Sequence, residues 1–299
     1  MNIFVSLYWF LLGTGPFLYL NLSYFVMRFS LYLIILLLLS HFTLSCSGNE
    51  RGAKAYLSEA EAAYNEGNYS LAKLKIDSIK ELFPKSFDEI NSGFALMQNV
   101  RMAENKRNIL FCDSMLHENY TQLKEILTKF DYVRDSRYQE FGEYYPKAYP
   151  HLSSLSSNGL RSGVREKGIL FIESILSGTT VKHNRIKVTS GDGNFAETDA
   201  VASDGLNYRF NTLDNSYEIV RYSGEDENGV AQFIHTFQDE PITIHFIGGR
   251  TITAPLTNAA KRGVSDSYEL SSLLLNIEQL KFEKEKSEAL IRYLESREK

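Results

Sequence analysis

Ile242-Thr243-Ile244-His245-Phe246-Ile247-Gly248-Gly249-Arg250-Thr251-Ile252-Thr253-Ala254 alternates apolar and polar side chains on both sides of a Gly-Gly pair. A period of two belongs to a strand with one buried face, and Gly-Gly between two such runs predicts a two-residue hairpin turn. The hairpin strands are Ile242–Ile247 and Thr251–Leu256. Reading back from them, strands are predicted at Gly168–Leu176, Ile186–Thr189, Phe195–Val201, Asn207–Asn211 and Tyr217–Tyr222. Gly191-Asp192-Gly193-Asn194, Ser203-Asp204-Gly205 and Leu213-Asp214-Asn215 supply turns between them. Short strands at this spacing predict a small antiparallel sandwich or curved sheet over 151–262. Within it, Val230, Ala231, Phe233 and Ile234 are spaced three to four apart, so Gly229–Phe237 reads as a short helix.

Helices are predicted on either side of the β region, which makes the fold class α+β. Downstream, 263–299 carries a long helix, Tyr268 to Glu298, with Ser265 or Asp266 as its cap. Leu270, Leu273, Leu274, Ile277 and Leu280 form its apolar stripe, resumed at Ile291 and Leu294. Lys284 and Ser287 interrupt the heptad positions between them, which a self-sufficient coiled coil does not allow. Upstream, Phe87 to Val133 keeps a helical period around a polar middle, Arg101–Asn108. The two long helices are expected to pack antiparallel into a stalk, the rival being a helix that pairs with a second chain. Asp131–Pro150 is rich in tyrosine (132, 138, 144, 145, 149) and reads as a packed corner, with sugar stacking as its alternative. Ser153–Gly159 reads as a polar joint into the β region.

Residues 53–150 open with two shorter helices. The first carries Ala55, Tyr56, Ala60, Ala63 and Tyr64, and the second Leu71, Ala72, Ile76, Ile79 and Leu82. Asn65-Glu66-Gly67-Asn68 separates them, and Pro84 ends the second. The series Tyr56, Ala60, Tyr64, Gly67-x-Tyr69-x-x-Ala72, Ile76, Ile79, Pro84 resembles one tetratricopeptide repeat. Small Ala60 and Ala72 suit close helix approach, while Tyr64 and Tyr69 fill the groove beside them. The resemblance implies a groove for a protein or peptide, with Tyr56, Tyr64 and Tyr69 as its residues; an ordinary helical hairpin is the alternative.

Hydrophobic residues make up 43% of the 299 and charged residues 23%, which excludes a wholly disordered chain and a polytopic membrane protein. With 32 basic and 37 acidic residues, the chain is not suited to a nucleic-acid partner held through phosphates. The charges are unevenly placed. Met1 to Ser45 carries a single charged side chain, Arg28. Read from Met27, a basic residue precedes the apolar run Phe29–Leu39 and a polar end Ser40–Ser45, the layout of a secretory signal peptide. Phe42-Thr43-Leu44-Ser45-Cys46 resembles the lipobox of bacterial lipoproteins. The resemblance implies signal cleavage before Cys46, acylation of Cys46, a tether over 46–52, and a site in the bacterial envelope, the outer membrane foremost. Thr43 and Leu44 depart from the commonest lipobox residues, and two membrane helices over 3–26 and 29–46 are the alternative. Translation is expected to start at Met27, with 1–26 an upstream extension and 27–45 the signal.

The remaining candidates are sparse. Cys112 lies among Leu110, Phe111, Met115 and Leu116 and reads as a buried thiol. His183, His235 and His245 share the β region and could converge on a metal, but a hydrogen-bonded strand histidine is the commoner outcome. Asp192-Gly193-Asn194 and Glu225–Gly229 lack the ligand alternation of a calcium loop. No HExxH, G-x-S-x-G, P-loop or dinucleotide fingerprint occurs. The expectation is a non-enzymatic, cofactor-free interaction or scaffold module, anchored to a membrane by its N-terminal lipid and partnered by another envelope protein or peptide. A glycan-binding lipoprotein using Tyr208, Tyr217 and Tyr222, or a hydrolase whose residues meet only in three dimensions, are the alternatives.

Overall fold

A computed structural model of the chain describes residues 50–149, 158–202 and 207–297. Met27, Arg28, the Phe29–Leu39 run and Cys46 lie outside these, as does most of the Ser153–Gly159 joint. Among the described residues no helix is long and apolar enough to cross a membrane. The chain divides into two units, one up to Asn105 and from Tyr293 on, the other from Lys106 to Arg292.

The first unit is helical. Helix α1 covers residues 50–65 and α2 covers Tyr69–Leu82. Gly67 turns between them at φ +73°, a left-handed conformation that favours glycine, and the Asn68 side chain caps α2 by accepting from Leu71 N at 3.2 Å. The first half of α3 (Phe87–Ile126) closes the hairpin. Ala60, Ala63, Ala72, Ile76, Met97 and Val100 form the core, with Tyr64, Tyr69 and Leu96 packed against it.

The second unit holds two antiparallel sheets. Six strands, β1 (Phe130–Val133), β2 (Glu143–Pro146), β3 (Gly159–Arg165), β4 (Leu170–Ser177), β7 (Asn207–Asn211) and β8 (Ser216–Ser223), run in the order β1-β2-β3-β4-β8-β7. Four more, β5 (Arg185–Ser190), β6 (Phe195–Glu197), β9 (Ile242–Ile247) and β10 (Thr251–Pro255), run β10-β9-β5-β6. Ile172, Leu176, Val220 and Tyr222 of the larger sheet meet Ile186, Val188, Ile244 and Phe246 of the smaller. The short helix α4 (Val230–Thr236) and the start of α5 (Asn258–Arg297) complete this core with Ile234, Ala260 and Val264.

Within this unit α3 and α5 run antiparallel, as their contacts show. Asn108 meets Ser287 at 2.8 Å, Asp113 meets Lys284 at 2.5 Å, and Lys129, in the 3-10 turn that follows α3, meets Asp266 at 2.8 Å. The residues that broke the heptad pattern therefore have partners in the same chain.

Four expectations are corrected. The helix ending at Val133 stops at Ile126, and after one 3-10 turn the chain enters β1. The tyrosine-rich corner is instead the strand pair β1–β2, with Tyr132 facing Tyr144 across the ladder. Aromatic and β-branched side chains suit a pleated surface better than a helix, and that preference prevails here. The long C-terminal helix begins at Asn258, where Thr257 Oγ1 accepts from Ala260 N at 3.2 Å. The expected caps have other partners, Ser265 bonding His235 and Asp266 bonding Lys129. The Gly248-Gly249 hairpin has three loop residues, since Thr251 pairs with Ile247.

Candidate functional site

Strand alternation places Ser174 on the same face of β4 as Ile172 and Leu176, and Glu218 on the same face of β8 as Val220 and Tyr222. Both polar groups therefore point into the sandwich core. The β4–β5 connection brings His183 between them. His183 Nδ1 lies 2.7 Å from Glu218 Oε2, and His183 Nε2 lies 2.7 Å from Ser174 Oγ. Ser174, His183 and Glu218 are each 0% exposed.

The connection is shaped around the carboxylate. Glu218 Oε1 accepts from the backbone N–H of Val181 and Lys182, and Oε2 accepts from that of His183. Lys182 takes a left-handed φ of +54°, which turns these successive amides toward one acceptor. The Arg209 guanidinium lies 3.8 Å from Glu218 and donates to the His183 carbonyl. Burial works against the Glu218 charge, but the donors from His183 and the backbone outweigh it and hold its pKa below the usual carboxylate value. Burial lowers the His183 pKa. The favoured pair is thus a carboxylate and a neutral imidazole. Nδ1 then carries the proton and donates to Glu218, leaving Nε2 to accept from Ser174.

That is the tautomer and order of a serine–histidine–carboxylate relay. Its chemistry would place proton acceptance at Nε2 and nucleophilic attack at Ser174 Oγ. The surroundings do not serve such a reaction. The Tyr222 side chain is fully buried in the same core, the Phe246 ring packs edge-on against His183 at 5.4 Å, and no member reaches solvent. What the array does accomplish is visible: it fastens the β4–β5 connection to β8 beside the smaller sheet.

The residues expected from sequence fall elsewhere. Tyr56 packs edge-on against Phe83 with the Lys75 ammonium over its ring, while Tyr64 and Tyr69 face each other at 6.2 Å beside the helical core. Cys112 is 1% exposed, and burial raises its thiol pKa. His183, His235 and His245 do not converge; His235 bonds Ser265 and His245 bonds Thr189. Among the described residues no cluster of three His, Cys, Asp or Glu side chains suits a metal. Tyr222 is buried, but Tyr208 (57% exposed) and Phe210 (41%) share one face of edge strand β7, and Phe210 stacks on Tyr217 at 5.0 Å and 22°.

Sequence reading weighed His183 as a metal ligand against a hydrogen-bonded strand histidine, and missed Ser174 and Glu218 as its partners. A signal was present in Tyr217-Glu218-Ile219-Val220-Arg221-Tyr222, where the acid shares its parity with two core residues. No protein-family model, curated protein or solved structure matches this chain.

Proposed function

We propose that the protein is a lipid-anchored, non-enzymatic binding module of the bacterial cell envelope, tethered through Cys46. The anchor rests on the sequence: a single basic residue, an eleven-residue apolar run, then Ser45-Cys46. Several acyl chains at one terminus give stable membrane attachment, where one chain gives only marginal binding. The observation that carries the non-enzymatic reading is the burial of Ser174, His183 and Glu218, since a nucleophile that reaches no solvent reaches no substrate. The relay is better suited to fixing a loop than to turnover.

The test has two arms on the full chain expressed in a bacterium. Metabolic labelling with an alkyne fatty acid should mark the wild type and leave Cys46→Ala unmarked, with only the wild type in the membrane fraction. Equal labelling and fractionation would remove the anchor. A serine-directed fluorophosphonate should leave the native chain unlabelled, and labelling that Ser174→Ala abolishes would make the protein a hydrolase. A second reading is favoured by exposed Tyr208 and Phe210 beside half-buried Tyr217, whose ring faces can take the apolar face of a glycan. Glycan binding that Tyr208→Ala and Phe210→Ala remove would support it.

A further inference from the structure

The start of α1 and the α2–α3 turn lie at one end of the helical unit. The Phe83 ring packs over Gly52, where a Cβ would lie 2.6 Å from it, and Tyr56 meets Phe83 edge-on at 5.6 Å. The Lys54 ammonium lies 4.0 Å from Glu89 of α3. The first turn of α1 therefore sits beside the turn 83–86. Leu82 and Phe87 stand on either side of that turn, and they are 55% and 69% exposed. Phe87 is the most exposed large apolar side chain among the described residues of this unit. One exposed apolar side chain needs no explanation, but two beside a single turn ask what covers them.

The length of the tether supplies the answer. Four residues of chain lead from Cys46 to Glu50, the first residue of α1. Fully extended, they reach about 14 Å. Acyl chains on Cys46 lie in hydrocarbon and hold that residue at the bilayer surface. The start of α1, and with it the turn packed against it, is then confined within reach of the lipid. Confinement raises the effective concentration of the surface, so two apolar side chains suffice where a free protein would need a larger contact. Residues 50–54 and 80–89 carry four basic and four acidic side chains, so headgroup charge is not what draws the turn in. Leu71 and Leu74 are exposed too, but they lie toward the opposite end of α2, away from the tether. We infer that the turn 83–86 dips into the bilayer surface and places Leu82 and Phe87 among the acyl chains. The inference rests on the Cys46 anchor of the proposed function and gives the helical unit a second, apolar contact with the same membrane.

The test reads tryptophan emission. The sequence has one tryptophan, Trp9, and it lies upstream of the expected cleavage at Cys46. The chain matured in a bacterium, and its Phe87→Trp and Leu82→Trp variants, are purified and reconstituted into phosphatidylcholine vesicles, plain or brominated along the acyl chains. Both new tryptophans should emit to the blue and lose most of their emission to the brominated lipid, at low and high salt alike. Glu66→Trp, in the α1–α2 turn at the other end, should keep its emission. Phe87→Trp combined with Leu82→Glu should shift to the red and escape most of the quenching, with circular dichroism and acylation unchanged. The two positions report separately, so one variant that misfolds leaves the other to decide. Tryptophans at 82 and 87 that emit to the red and escape quenching would overturn the inference. Blue emission without quenching would overturn it too, by showing that protein, such as a second copy, covers the turn. In both cases an acylated wild type free of tryptophan emission leaves the anchor standing. A wild type that keeps Trp9, or whose intact mass lacks the lipid, would remove the anchor and the inference with it.

Discussion

Glu218 shows how one residue can hold a connection in a core. Its two oxygens take three backbone amides and one imidazole, all of them removed from water. Glu218→Ala leaves those donors without an acceptor and should cost about 3–5 kcal/mol, while Glu218→Gln keeps one carbonyl oxygen and should cost about half as much. Denaturant unfolding of both variants checks the order. The pH dependence follows from the two shifts. The His183 pKa is lowered in the fold, so as pH falls through about 6.5 the unfolded chain takes a proton that the native chain refuses, and stability drops. The Glu218 pKa is lowered too, so its contribution holds above about 4.5 and is lost as pH falls through the lower folded value. His183→Gln should flatten the upper step and shrink the lower one, since the His183 donor is among those that lower the Glu218 pKa while the backbone donors remain. The lowered pKa of His245 acts in the same direction as that of His183 and remains in that variant. Superimposable pH profiles between wild type and His183→Gln would remove the relay from the account. Gly248 marks how far such residues can be read in advance. Its dipeptide announced a turn, but φ is not what requires glycine there. A Cβ on Gly248 would sit 2.3 Å from the Val181 carbonyl, and only the packed molecule brings that carbonyl near.

At the scale of elements, periodicity located most of the secondary structure. Asn207–Asn211 and Ile242–Ile247 have their expected bounds, and the helical reading of 229–237 gives α4. The strands β1, β2 and β3 were not legible. Phe130–Val133 follows an unbroken helical pattern with no glycine or proline before it, and Gly159–Arg165 has two glycines and two arginines in seven residues. Gly163 is there because a Cβ would lie 2.4 Å from the Phe171 ring, a demand made by the neighbouring strand. The α3–α5 pair is the opposite case, where an apparent flaw predicted a partner. Ser287 is 3% exposed and lies 2.8 Å from the Asn108 amide. Ser287→Ala and Asn108→Ala should each destabilise, and a double-mutant cycle should return a coupling of about 1 kcal/mol. Zero coupling would mean that the heptad break is tolerated rather than matched. A cleft of about 650 Å³ lined by Asn119, Gln122 and Asn276 lies along this same pair, and no sequence signal marked it, because a period shows which face is apolar and not where two faces part.

For the whole molecule, the two units differ in what holds them. The first has a six-residue core, half of it alanine, and an alanine side chain removes little apolar area from water. The second has an eighteen-residue cluster dominated by isoleucine, leucine, valine and phenylalanine, with the ladders of two sheets around it. Burial sets the free energy of local opening, so the units should open separately in hydrogen exchange. Amides of α1 and α2 should exchange at least about 10-fold faster than those of β4, β5, β8 and β9. Ile76 is the largest aliphatic side chain in the smaller core, 6% exposed, and a Cβ on Gly93 would meet its methyl at 3.3 Å. Ile76→Ala should cost about 2–4 kcal/mol. Its effect should appear as faster exchange across α1 and α2 while β4 and β8 keep their protection, as a division into two units requires. Mass-resolved exchange on the full chain makes the comparison within one sample. Equal loss of protection in β4 and β8 would mean that the helical unit and the sandwich unfold as one, since β4 and β8 belong to the other unit and would then lose protection through global opening.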